Sequence, residues 1–183
     1  MAIERYIAGG ILKYTPVGGT EREIGEVQDV KLKINTEYKK AFNKDKALPV
    51  VADKVPTKVE ATISFKTQNI SKENLAMFLL AEITQQTFSA GDTLPDGTVA
   101  ASDVTVDVIK AAQNLTVKGK LVFVADSAVG TKSPVLEVPV ASITPVGDLP
   151  LMSEDFANLE FEGEVLQQTN GEYFTEYLIP KAA

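Results

Sequence analysis

The sequence predicts a mainly β (α+β) fold over residues 1–183: one antiparallel β-sandwich or barrel-like domain with one flanking α-helix and a long basic loop arm at about residues 35–57. Three observations carry this expectation. Apolar and polar residues alternate with period two in several segments, as half-buried strands require. A single segment, starting at Ser71, repeats its apolar residues at helical spacing. More than 20 residues, with Pro49 and Pro56 among them, separate the alternating segments near Ile34 and Lys58. A stretch that long inside a compact domain marks a functional or flexible loop.

Taken in order, Gly9-Gly10 and Gly18-Gly19 read as turns, since neither has the strand, spacing and following helix of a phosphate-binding loop. Val30, Leu32 and Ile34 alternate with Lys31 and Lys33; Val59, Ala61, Ile63 and Phe65 alternate with Glu60, Thr62, Ser64 and Lys66. Both read as antiparallel strands with one wet face. Ser71 is placed to cap a helix, Glu73 suits the positive end of its dipole, and Ile70 and Leu75 have the spacing of a hydrophobic staple. Leu75, Phe78, Leu79 and Ile83 form the stripe that would lie on a sheet.

Leu94-Pro95-Asp96-Gly97 is a turn signal, and Val104, Val106 and Val108 mark the next strand. Leu115, Val117, Leu121 and Phe123 share a face, with Gly119 marking a bend or bulge. Leu136, Val138 and Val140 form another row. Pro139 has no N–H to give, which suits an edge strand or a bulge, and the expectation is an edge. After the turn signal Pro145-Val146-Gly147-Asp148, Leu159, Phe161 and Val165 point one way with Gly163, while Asn158, Glu160, Glu162 and Glu164 point the other. Asn170-Gly171 favours a tight hairpin turn into a last strand, Glu172 to Ile179, closed by Pro180.

Composition narrows the function. Apolar residues make up 44% and charged residues 23%, which is globular rather than disordered. The chain has no cysteine and no histidine, so thiolate zinc sites, disulfides, cysteine nucleophiles and the commonest general base are out. Met1 to Tyr6 carries an early acid and no apolar run of signal-peptide length follows, so export and membrane insertion are not expected. A net charge of -7 argues against a free-standing nucleic-acid binder. That charge is unevenly spread. From Lys31 to Lys58, eight lysines face three acids, a local +5; from Asp148 onward, eight acids face Lys181 alone, a local -7. Solvated faces explain such runs, and so does self-association between a basic arm and an acidic surface.

Asp92, Asp96 and Gly97 lack the further oxygen ligands and the closing bidentate Glu of a calcium loop, so a hairpin turn is expected there. Glu160, Glu162 and Glu164 stand about 7 Å apart between same-face neighbours, within the range of an inverting glycosidase pair. Sugar sites are pocketed and carry aromatic platforms, however, and the chain has no tryptophan. No catalytic or cofactor-binding constellation emerges, and the expectation is a protein that is not an enzyme.

Three stretches resemble the tail tube (major tail) proteins of long non-contractile-tailed bacteriophages. Gly9-Gly10-Ile11-Leu12-Lys13-Tyr14 through Gly18-Gly19 to Ile24-Gly25-Glu26-Val27 is similar to that family's opening strands. The strand from Lys58 to Thr67 running straight into Ser71-Lys72-Glu73-Asn74-Leu75-Ala76 resembles its strand before a single helix. Gly119 to Phe123, Val138 to Ala141, Thr144-Pro145, Gly147 and Leu159 to Leu166 resemble its later strands in order and spacing. The resemblance implies a structural subunit whose hexameric rings join their inner strands into one barrel and stack into a tube. Its partners would be copies of itself and the tape-measure, tail-tip and tail-terminator proteins. The tube would be assembled in the host cytoplasm for the virion tail, and DNA would cross the lumen without specific binding, with no membrane and no cofactor involved.

An acidic lumen repels phosphate, so Glu160, Glu162 and Glu164 are expected to line it. Stacking needs two different complementary surfaces per copy, so Lys39, Lys40, Lys44 and Lys46 of the arm are expected to contact an acidic surface of a neighbouring ring. The inner tube of a contractile injection system and a β-sandwich ligand-binding or adhesion module are the alternatives.

Overall fold

The computed structural model describes residues 8–43, 50–127, 132–152 and 156–180. The strands are β1 (Ala8–Pro16), β2 (Arg22–Glu23), β3 (Val27–Asn43), β4 (Val50–Thr67), β5 (Glu82–Phe88), β6 (Val104–Lys110), β7 (Val117–Ser127), β8 (Lys132–Val146), β9 (Leu159–Val165) and β10 (Thr175–Pro180), with one helix, α1 (Lys72–Phe78). The protein is therefore mainly β, with antiparallel pairing throughout and one short helix among the described residues. One sheet runs β2-β1-β7-β8-β9-β4-β3, β10 also pairs with β8, and β5 and β6 form a separate hairpin.

Strands from both ends of that order feed one core. Leu12 and Tyr14 of β1 join Leu121 of β7, Val138 and Ile143 of β8, Phe161 of β9 and Ile63 and Phe65 of β4 in a single cluster. A sheet that buries one face in one cluster from both ends has to curl around it. α1 closes the remaining side: Phe161 stacks on Phe65 at 5.1 Å between ring centroids and meets Phe78 edge-on at 5.8 Å. Such pairs add about 0.5–1.5 kcal/mol each beyond area burial. Gly119 is buried because Tyr14 lies where its side chain would be; a Cβ there would strike the Tyr14 ring and the Thr15 carbonyl.

Ser71 caps α1 by accepting from the Asn74 amide at 3.2 Å. Asn74 is fully buried and saturated: it donates to the carbonyls of Ile24 (2.9 Å) and Asn69 (2.8 Å) and accepts from Arg22 Nη1 (2.7 Å). These bonds anchor the β2–β3 turn to the helix, and buried polar groups demand such partners. Lys72 pairs with Asp107 of β6 at 2.8 Å, tying α1 to the β5–β6 hairpin.

Several expectations need correction. The expected loop at 35–57 is strand over its described residues, because β3 and β4 stay paired out to Asn43 and Val50. β8 is not an edge strand: β7 holds one side, and β10 and then β9 hold the other. Pro139 is accommodated by a bulge instead. Gly119 pairs with Ala141 and Leu121 with Val138, so Lys120 faces two residues, Pro139 and Val140. The bulge shifts the buried parity from Val138 to Ala141 and Ile143.

Gly9-Gly10 lies within β1 rather than in a turn. Leu115 precedes β7 and is 97% exposed. α1 stops at Phe78, so Ile83 belongs to β5, and the helix buries Asn74, Ala76, Met77 and Phe78 while Leu75 and Leu79 are only half-buried. The turn at Asn170-Gly171 forms, but β10 starts at Thr175 and pairs with β8, not β9.

Two outcomes follow for stability. Phe161→Ala removes the ring shared by both aromatic pairs and should cost about 3–5 kcal/mol in urea unfolding; a loss below about 1 kcal/mol would place the core elsewhere. Asp107 sits below the usual carboxylate range because Lys72 and Gln85 hydrogen-bond to it. A carboxyl depressed on folding stabilises above its unfolded pKa, and that contribution fades as pH falls through its folded value. In an NMR titration Lys72→Met should move the Asp107 midpoint upward, and an unchanged midpoint would contradict the pairing.

Candidate functional site: the open sheet face and the β3–β4 ribbon

Along β9 the buried row Leu159, Phe161, Gly163 and Val165 leaves Glu160, Glu162 and Glu164 on the other face. Register sets their neighbours: Lys66, Ser64 and Thr62 on β4, and Val146, Thr144 and Ser142 on β8. One strand further, Lys31 lies opposite Ser64 and Lys33 opposite Thr62. The surface therefore reads Ser142-Glu164-Thr62-Lys33 across the strands, then Thr144-Glu162-Ser64-Lys31. The three glutamates fall together on one face, as the alternation predicts, and lysines of β3 border them.

Glu160 is paired with Lys66 at 2.5 Å, and Glu60 with Lys58. Both lysines have raised pKa values, each mainly through the hydrogen bond to its glutamate, and the charge of Glu164 adds to the effect at Lys58. Glu162 and Glu164 are exposed and have no ion-pair partner among the described residues. A shallow groove of about 410 Å³ runs between Glu60, Thr62, Thr144, Val146, Glu162 and Glu164. Its lining has no aromatic platform, so the sugar-site reading gains no support. Among the described residues no group of three or more acids is placed to hold a metal ion. What the face does present is a wet strip with two uncompensated carboxylates at its centre.

The second surface is the distal half of β3 and β4. β9 pairs with β4 only from Ala61 to Thr67, so beyond Ala61 the two strands continue as a ribbon. Register shifts at Glu37/Tyr38 and Ala41/Phe42 leave Thr57 and Ala52 as the extra residues of β4. Even-numbered residues of β3 keep to the face that nearer the body covers the core. Ile34, Tyr38 and Phe42 are 57%, 46% and 51% exposed there. Val59, Pro56 and Val51 of β4 share that face, and Lys54 lies 3.6 Å from the Tyr38 ring centroid. The ribbon is an amphipathic strip with an uncovered apolar stripe.

The structure divides the predicted arm lysines. Lys39 pairs with Val55 and Lys40 with Lys54. As successive strand residues Lys39 and Lys40 point to opposite faces, so they do not form one patch. Lys44 and Lys46 lie outside the described residues. The apolar stripe was hidden by reading the segment as a loop; its signal is the row Ile34-Thr36-Tyr38-Lys40-Phe42, which continues the alternation of β3 unbroken. Phe42→Ser should change the unfolding free energy of the free chain by less than about 0.5 kcal/mol, as for exposed positions in general. A loss above about 2 kcal/mol in urea unfolding would mean that the stripe is covered within one copy.

No family model matches the chain, and no curated protein matches it.

Proposed function

We propose that the chain is the repeating subunit of a phage tail tube of the non-contractile kind, in which hexameric rings stack into a hollow tube. The tube houses the tape-measure protein and conducts DNA during ejection. The observation that carries this reading is the pairing of two unlike exposed surfaces on one sheet: the glutamate strip of β9 and the apolar, lysine-bearing ribbon of β3 and β4. A tube for DNA needs a wall that phosphate does not stick to, and uncompensated carboxylates supply it. On this reading Glu160, Glu162 and Glu164 face the lumen.

Stacking is a heterologous contact, so each copy needs a donor surface and a different acceptor surface. The ribbon is suited to be the donor, because it projects beyond the third strand and carries both apolar area and positive charge. The tape-measure, tail-tip and tail-terminator proteins would then meet the lumen and the two tube ends.

The test is light scattering with negative-stain electron microscopy at low and high salt, with the tail-tip and tape-measure proteins added as nuclei. Rings and tubes should form and should weaken as salt rises, since the Debye length shrinks from about 10 Å at 0.1 M to about 3 Å at 1 M. Lys40→Glu should slow assembly. A chain that stays monomeric with those nuclei present contradicts the reading, and normal assembly of Lys40→Glu removes the arm charge from it.

A further inference from the structure

We infer that the apolar stripe of the ribbon docks in the cleft between β1 and β3 of a second copy, an acceptor site that deepens and rests on the self-assembly proposed above. The cleft holds about 580 Å³ and is lined by Gly9 and Gly10 of β1, Val30 and Leu32 of β3, Phe123 of β7 and Leu136 of β8, with Asp29 and Glu176 also on its wall. Val30, Leu32, Phe123 and Leu136 pack against the core yet stay half-buried, so the cleft is a place where the core is left partly uncovered. Gly10 lets Phe123 lie close against β1 on the cleft wall: a Cβ there would meet the Phe123 ring at 2.7 Å and the Val124 carbonyl at 2.5 Å.

Charge selects the occupant. Asp29 and Glu176 are exposed, and the nearest ion-pair partner of Asp29 among the described residues is Lys31 at 3.7 Å. The stripe brings Lys40 and Lys54 beside Tyr38, Phe42 and Val51, and neither lysine has an ion-pair partner among the described residues. An apolar ridge crossed by a pair of cations, Lys40 opposite Lys54, fits an apolar cleft that has carboxylates on its wall.

Distance makes the contact one between copies. Leu32 lines the cleft and Phe42 lies ten residues further along the same strand. At about 3.3 Å per residue the distal stripe stands roughly 30 Å from its own cleft. A ribbon that cannot fold back can reach only another copy's cleft, where it lies against the root of that copy's ribbon. Contacts of this kind repeat from root to tip and propagate as rings or filaments.

Cross-linking tests this directly, because the chain has no native cysteine. Phe42→Cys protein is mixed with Leu136→Cys protein and oxidised. The expected product is a disulfide dimer of the two variants, formed in clear preference to a dimer of Phe42→Cys with Thr144→Cys on the open face. Charge reversal gives a second readout that leaves the core alone. Lys54→Glu should weaken assembly about tenfold, and Glu176→Lys in the same chain should restore it. Assemblies that form without the Phe42–Leu136 cross-link, and whose Lys54→Glu defect Glu176→Lys leaves unrepaired, overturn the docking site but leave self-assembly standing. Monomers at every concentration overturn both.

Discussion

Everything in this molecule depends on a single sheet keeping one face dry and the other wet through all of its turns. β9 shows the constraint in its simplest form: Phe161 stacks on Phe65 and meets Phe78 edge-on, while on the opposite face Glu162 stands in solvent and Glu160 pairs with Lys66. A slip of one residue in that strand would bury Glu160, Glu162 and Glu164 and expose Leu159, Phe161 and Val165. The aromatic pairs and the wet strip are therefore two sides of one register. β8 obeys the same rule with a longer strand, using the bulge at Pro139 and Val140 to re-aim its buried row from Val138 to Ala141 and Ile143. The glutamate strip exists because the core fixes it.

Much of the fold was legible in the alternation. The strands around Ile63, Val106, Leu121 and Phe161 and the wet glutamates follow from side-chain period, and the Ser71 cap from its hydroxyl at the helix start, because both are local properties of the chain. Proline misled the reading in two places, for one reason in both. A missing N–H can be accommodated by local irregularity as well as by a sheet edge or a loop. Pro139 lies at a bulge in a central strand, and Pro56 lies beside a register shift in a ribbon where β4 has lost its second neighbour, β9. The length of β10 and its pairing with β8 depend on contacts far apart in sequence, which no local signal reports.

The two surfaces differ in the same way. The strip on β9 is one strand, so its residues could be named before the structure was known. The cleft draws on β1, β3, β7 and β8, whose approach is set by the curl of the sheet, and Gly10 lets Phe123 lie close against β1 on its wall. The ribbon lies between these extremes. Its lysines are plain in the sequence, but their division between two faces, and the apolar stripe of Tyr38 and Phe42 beside them, appear only once the segment is known to be strand.

On the function proposed above, the core-locked acidic strip would line a negatively charged passage and the projecting amphipathic ribbon would join copies of the chain around it. Cryo-electron microscopy of the particles it forms tests that claim most directly. The account predicts a ring of six with Glu160, Glu162 and Glu164 on the wall of the central hole. A ring, tube or other assembly that carries the three glutamates on its outer surface contradicts it.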